Sequence, residues 1–264
     1  MVNGESGTPA RDGRQLRLLG LVMERQRVGV QELAALTGVS QVTVRKDLDD
    51  LANRGLLRRE HGVAVAGSAD DMRAHLAYHY DKKQQIASAA ASEVADGETV
   101  MIESGSIGAL LAEQLCDTPR GITVVTNSAF IAGYIRRSPY ADVVLLGGSY
   151  QRESQVVVGP VLAETVRSFF VEKLFIGIDG YSPEAGFLGN DVMRAEAVRL
   201  MSAQAQHTIV LSESEKFPAP ASLKLLPASA VSAVFTDAGL TADVAQQLAA
   251  AGVRVDSTLG SAGG

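Results

Sequence analysis

Apolar positions in the first 66 residues recur at helical spacing, and beyond residue 83 they gather into short runs. Between Arg14 and Glu24, Leu16, Leu19 and Met23 share one helical stripe, with Leu18 and Val22 beside them. That spacing predicts an amphipathic helix. After a break at RQRVG, VQELAALT predicts a second short helix with Leu33 and Leu36 inward. Gly38 ends it, because glycine accepts the left-handed conformation a helix terminus needs. Ser40 stands as the N-cap of a third helix, QVTVRKDLDDLANR, with Val44, Leu48 and Leu51 on one face and Gly55 as its stop. LLRREHGVAVAG alternates about His61-Gly62, which predicts a two-stranded hairpin.

The pattern then changes. GSADDMRAHLAYHYD reads as a linker turning into helix, and KKQQIASAAASEV as a helix. GETVMIESG, GITVVTN, ADVVLLGG, KLFIGIDG, HTIVLSE and VSAVFTD are short runs rich in Val and Ile. Helical stretches fall between most of them, over Ile107–Leu115, Ala129–Arg137, Val161–Phe170, Asp191–Ala205 and Thr241–Ala251. Such alternation predicts an open, mainly parallel sheet with flanking helices. The expected organisation is a winged helix-turn-helix over 11–67, a linker over 68–82, and an effector-binding, oligomerising α/β domain over 83–257.

Composition narrows the function classes. The chain has 264 residues, 46% hydrophobic, enough for two unequal cores. Cys116 is the single cysteine, so no internal disulfide forms, and AEQLCDT places it at a buried helix end rather than in a nucleophile's setting. The leading residues contain no apolar signal-like run, and no stretch approaches the roughly 18 apolar residues of a membrane span. A cytoplasmic protein without membrane contact, cofactor or metal is expected. The formal net charge is −6, yet residues 1–67 hold a slight basic excess. A basic face on an acidic body suits a module that meets a polyanion, although charge alone also describes a solvated helix face.

Two short helices joined at a glycine, then a basic helix, describe a helix-turn-helix. Ser40, Gln41, Thr43, Arg45 and Lys46 fall at the exposed start of the third helix. Gln can pair with adenine and Arg with guanine, and a helix N-terminus favours phosphate. Arg58 and Arg59 would touch the DNA backbone from the wing. The wording VSQVTVRKDLDDLANRGLLRREHG closely resembles the DNA-binding module of the DeoR family of bacterial transcriptional regulators. That family carries V-S-x-x-T-[VI]-R-[RK]-D-L and then L-x-x-x-G-x-[IL]-x-R-x-H-G-G. The match runs through Val39, Ser40, Thr43, Val44, Arg45, Lys46, Asp47 and Leu48, then Gly55, Leu57, Arg59, His61 and Gly62. Val63 departs from the second glycine.

The resemblance extends to about Asp237 and implies a ribose-5-phosphate isomerase-like effector domain. Where that domain has D-x-G-T-T, V-T-N, G-G and D-x-S-K-F, this chain has IESGSIG, VTN, LLGG and SESEKF. Ser104, Gly105 and Ser106 would cradle a phosphate at a helix N-terminus. Thr126, Asn127, Gly147 and Gly148 follow other strands toward the carboxyl edge, where open parallel sheets bind ligands. Lys216 would supply a charge to phosphate, while Glu103 and Asp179 would accept sugar hydroxyls. There are departures too. Ser106 and Ile107 replace two threonines, and Glu103 and Glu213 replace aspartates. Arg194 and Val198 stand where the resemblance leads one to expect a glutamate and a lysine, with Arg199 retained.

These residues imply a DNA-binding transcriptional regulator, a repressor of carbohydrate-metabolism genes. Its partners would be double-stranded operator DNA and a small phosphorylated sugar, and it would work as a homodimer or higher homo-oligomer. It is not expected to be an enzyme. The competing reading is a sugar-phosphate isomerase with an accessory domain, for which Glu103, Asp179 and Glu213 are eligible bases. A third is a scaffold whose N-terminal helices mediate assembly only.

Overall fold

The computed structural model describes residues 9–53, 56–66 and 72–257. The chain divides into two compact units, with the boundary between Asp81 and Lys82. The N-terminal unit contains α1 (Pro9–Arg25), β1 (Arg27–Gly29), α2 (Val30–Thr37), α3 (Gln41–Asn53), β2 (Leu57–Glu60), β3 (Val63–Ala66) and α4 (Met72–Ala77). Leu18, Leu19, Val22, Leu33, Val44, Leu48 and Leu51 form its core. Gly38 takes the left-handed conformation (φ 71°) and donates its N–H to the Ala34 carbonyl, which ends α2.

Two expectations change here. Leu33 is fully buried, but Leu36 is 37% exposed, so one leucine rather than two anchors α2. The hairpin of β2 and β3 gains a third strand, because β1 pairs antiparallel with β3. Three residues are too few to register as a strand in the pattern. The expected stop at Gly55 lies outside the described residues, as does the 68–71 part of the expected linker. The rest of that linker is helical over α4 and again from Tyr80. At Gly20, α1 meets α4 so closely that a Cβ would fall 2.4 Å from the Ala77 carbonyl oxygen.

Asp47 is 1% exposed on the inner side of α3. Arg14 donates to it through Nε at 2.6 Å and Nη2 at 3.2 Å, and Gln15 through Nε2 at 3.3 Å. Buried carboxylates need such partners. The hydrogen bond to Asp47 raises the Arg14 pKa above its ordinary value, against the opposing effect of burial. The acid of the RKDL motif is therefore a brace between α1 and α3.

The body begins within the first turn of α5 (Tyr80–Ala91) and is built on a seven-stranded sheet. Its strands are β4 (Thr99–Ile102), β5 (Ile122–Thr126), β6 (Ala141–Leu145), β9 (Val171–Ile176), β12 (Ala205–Leu211), β14 (Ala233–Phe235) and β15 (Arg254–Asp256). Every adjacent pair is parallel, in the order β15-β14-β12-β9-β4-β5-β6. Six of these strands are the apolar runs of the sequence; β15 is an addition at one edge. The helices α6 (Ser106–Cys116), α7 (Ala129–Ile135), α8 (Pro160–Val166), α9 (Val192–Ser202) and α10 (Ala242–Ala250) lie close to their expected places. Val100, Met101 and Ile102 are each 0% exposed, as a strand covered on both faces requires. Cys116 is buried at the end of α6, and burial pushes its thiol pKa up to about 12.

Two small antiparallel additions escape the pattern. One is the hairpin of β7 (Ser149–Gln151) and β8 (Val156–Val158). The other is a three-stranded sheet of β10 (Gly180–Ser182), β11 (Gly186–Gly189) and β13 (Leu223–Leu226). Both consist of strands of three or four residues.

Replacing Asp47 by alanine leaves buried donors unpaired and is expected to lower stability by roughly 1–3 kcal/mol. The exposed pair of Asp49 with Arg59 is a built-in control, since Asp49→Ala is expected to cost at most about 1 kcal/mol. Calorimetry of the full chain compares the two.

Candidate functional site

The start of α3 is held in shape by its own side chains. The Ser40 hydroxyl accepts from the Thr43 N–H at 3.1 Å and lies 2.9 Å from the Thr43 hydroxyl, which satisfies a helix-terminal donor. Arg45 donates to Gln41 Oε1 at 3.2 Å. Arg45, Lys46 and Arg58 are exposed. Arg59 turns back onto α3, donating to Asp49 Oδ1 at 2.7 Å and to the Arg45 carbonyl at 3.3 Å. It ties the wing to the helix, whereas Arg58 points outward from the same strand.

In the body, strand order reverses between β4 and β9, the two strands that leave the centre of the sheet in opposite directions. Open α/β sheets leave a crevice at such a point, beyond the carboxyl ends of the strands. Glu103 follows β4 and is 1% exposed; Asp179 lies three residues beyond β9. Between them sits Arg194, from the first turn of α9. It donates Nε to Glu103 Oε1 at 3.0 Å and Nη2 to Oε2 at 3.0 Å. It also donates Nη1 to Asp179 Oδ2 at 3.1 Å and Nη2 to the Gly177 carbonyl at 2.9 Å. Burial alone would lower the guanidinium pKa, but Glu103 first, then Asp179 and Asp191, raise it above its ordinary value. Asp179 has a second cation, with Lys216 Nζ 3.7 Å from its Oδ1.

Next to this network lies a cavity of about 420 Å³, lined by Ser104, Gln151, Arg152, Glu153, Ser154, Val156, Asp191 and Arg194. The tip of the β7–β8 hairpin makes one wall and the N-terminus of α9 another. Among the described residues, no hydrogen bond or ion pair engages Arg152. The cavity thus has one committed cation, Arg194, and one uncommitted, Arg152. Ser104 is the cavity residue that the sequence pointed to; Gly105 and Ser106 start α6 beside it. Thr126 and Asn127 are fully buried and turn inward. Thr126 donates to the Ile102 carbonyl at 2.6 Å, and Asn127 Nδ2 faces the Val157 carbonyl at 3.4 Å. Gly147 and Gly148 shape the entry to the hairpin, and a Cβ on Gly148 would meet the Val158 carbonyl oxygen at 2.8 Å. The hairpin's contribution is not legible in the sequence because QRES carries no motif, only its place in a tight turn.

The DeoR C-terminal sensor domain matches residues 78–238, and the DeoR-like helix-turn-helix domain matches residues 14–69. The chain belongs to the DeoR family. It is 29% identical over 237 residues to the transcriptional repressor CsqR of Escherichia coli K12, covering 88% of each chain. It is 26% identical to a putative aga operon transcriptional repressor of Escherichia coli O157:H7, covering 96% of each. It is 27% identical to the transcriptional regulator UlaR of Shigella sonnei, over 90% of this chain and 95% of that one. Among solved structures, a probable sor operon regulator from Shigella flexneri superposes with a TM-score of 0.42 and 10% identity, over 64% of this chain and 88% of that one. Ribose 5-phosphate isomerase A of Methanocaldococcus jannaschii gives 0.40 and 17%, over 53% and 55%. The chain thus spans about half of that isomerase's length.

In this DeoR-family regulator, the loop carrying Lys216 is fastened to the first helix of the body. A 3-10 turn covers Ser214–Lys216. Lys82 Nζ lies 3.1 Å from Glu215 Oε1 and 3.8 Å from Asp237 Oδ1. Lys83, 3% exposed, lies 3.5 Å from Glu213 Oε2. Burial pushes the Lys83 pKa below its ordinary value despite the opposing pull of Glu213. Asp237 accepts from the Ser214 N–H and hydroxyl, both at 2.8 Å. Ion pairs therefore link Lys216's turn to α5, the helix that continues the chain from the DNA-binding unit.

Arg194→Ala strands the buried Glu103 carboxylate and is expected to destabilise the body by about 3–5 kcal/mol. Glu103→Leu combined with Arg194→Met should cost less than the sum of the two single changes, with a coupling of about 0.5–3 kcal/mol. Denaturant unfolding of the four proteins measures it.

Proposed function

We propose that this transcriptional regulator is a repressor of carbohydrate-metabolism genes whose operator affinity is set by a small phosphorylated sugar in the crevice at the strand-order reversal. The observation that carries the reading is the cavity of about 420 Å³ with the uncommitted Arg152 on its wall and Ser104 at its floor. Arginine suits phosphate because its planar fork can donate two hydrogen bonds at once. Lys216 stands at the same edge. Glu103 is occupied by Arg194, so in this reading it frames the site through that arginine rather than by meeting a hydroxyl directly. The repressor names of two relatives and the aga operon in one of those names support the gene class.

In the N-terminal unit, Ser40, Gln41 and Thr43 are assigned to the mouth of the major groove, with Arg45, Lys46 and Arg58 on the DNA. Arg59 acts by holding the wing. One helix-turn-helix covers a half-site, so a homodimer or larger assembly is proposed, working in the cytoplasm on duplex operator DNA. The ligand biases DNA binding only as far as it prefers one arrangement of the protein over the other. The ion pairs of Lys82 and Lys83 are the proposed route for that bias.

Operator titrations with and without phosphorylated sugars test both halves. Arg152→Ala is expected to weaken the sugar's effect roughly 10- to 100-fold, the worth of one charge-assisted hydrogen bond, and to leave sugar-free DNA affinity intact. Lys216→Ala should act in the same direction. A full response in both variants would show the pocket to be misassigned. Arg45→Ala with Lys46→Ala should flatten the log–log salt dependence by roughly one unit for each phosphate that is no longer neutralised. An unchanged slope and affinity would remove those two residues from the interface.

A further inference from the structure

The face of α3 that the core leaves free has an apolar residue at its leading end. Val44, Asp47, Leu48 and Leu51 are buried and define the inner stripe. At about 100° of rotation per residue, the line directly opposite is Val42, Lys46, Asp49 and Asn53. Val42 occupies the first turn of that line and is 73% exposed, more than any other large apolar side chain among the described residues. An exposed valine is ordinary by itself. Its position is what counts, because the first turn of a recognition helix is the part that reaches base edges in the major groove.

The neighbours of Val42 are polar and already organised. On one flank Gln41 and Arg45 are joined at 3.2 Å, and on the other the Ser40 and Thr43 hydroxyls lie 2.9 Å apart. Further along the outer line, Asp49 is neutralised by Arg59 at 2.7 Å. Val42 is left as the outermost side chain of the leading turn, and it has no hydrogen-bonding group. The one apolar feature that a base pair made of the four standard bases presents in the major groove is the C5-methyl group of thymine.

We propose that Val42 is a specificity-determining residue that packs on a thymine methyl, so that each half-site carries a thymine under the leading turn of α3. This rests on the DNA-binding role of the family and is independent of the effector reading. The contact excludes water from both methyl surfaces and discriminates against cytosine, which offers no methyl there.

The test uses the full chain and duplexes enriched by it from a random-sequence library. Each thymine of the enriched half-site is replaced in turn by deoxyuridine, which deletes only the methyl group. Wild type is expected to bind about fourfold more weakly at one position per half-site, the worth of one buried methyl. Val42→Ala should bind the thymine duplex as weakly as wild type binds that deoxyuridine duplex, and should be indifferent to the replacement. Its thermal stability should lie close to wild type, since the side chain is 73% exposed and outside the core. Enriched half-sites that lack a common thymine would overturn the proposal. So would a methyl deletion that costs the alanine variant as much as it costs wild type.

Discussion

A single guanidinium organises the centre of the body. Arg194 carries its charge to a place where β4, β9 and α9 converge, and a charge in such a place needs partners close at hand. Glu103, Asp179 and the Gly177 carbonyl supply them within 3.1 Å. Three segments far apart in sequence are thereby pinned at the one point where the strand order turns. The cavity beside them inherits its floor from this pinning, and the hairpin tip closes it from the other side.

The same pair explains why two departures from the family motif belong together. A longer carboxylate at Glu103 and a cation at Arg194, where a glutamate stands in the motif, form one bidentate unit. Taken singly, each looks like the loss of a familiar group. Taken as neighbours 3.0 Å apart, they exchange the sign of charge on α9 for a closed network. Among the cavity's lining residues, the cation with no partner among the described residues is then Arg152, on the hairpin.

The large elements are legible because they obey long periodicities. Six central strands are readable as apolar runs, and α3 from its stripe of Val44, Leu48 and Leu51. What escapes is built from three- or four-residue strands, where pairing partners rather than local pattern decide the structure. β1, the β7–β8 hairpin and β15 are of this kind. Side-chain commitments are hidden for a related reason. Glu103 and Arg59 read as free groups in the sequence, and Asp47 as part of a motif. Each proves to be tied to a residue 10 to 91 positions away. Leu36 fails in the opposite sense: helical spacing allows it inward, but the buried stripe of α2 is Val30 and Leu33, and Leu36, in the last turn before Gly38, is exposed.

The third helix, α3, divides its labour cleanly between two faces. The inner face, with Asp47 and its leucines, carries the packing; the outer face is free of core residues and is the one proposed to meet DNA. Val42 and Lys46 are exposed and outside the core, and substitutions at such surface positions usually shift stability by less than about 0.5 kcal/mol. Duplicated copies of this gene could therefore diverge in operator preference through neutral intermediates that all fold, each retaining a working sensor. The architecture makes regulatory rewiring a matter of a few exposed codons.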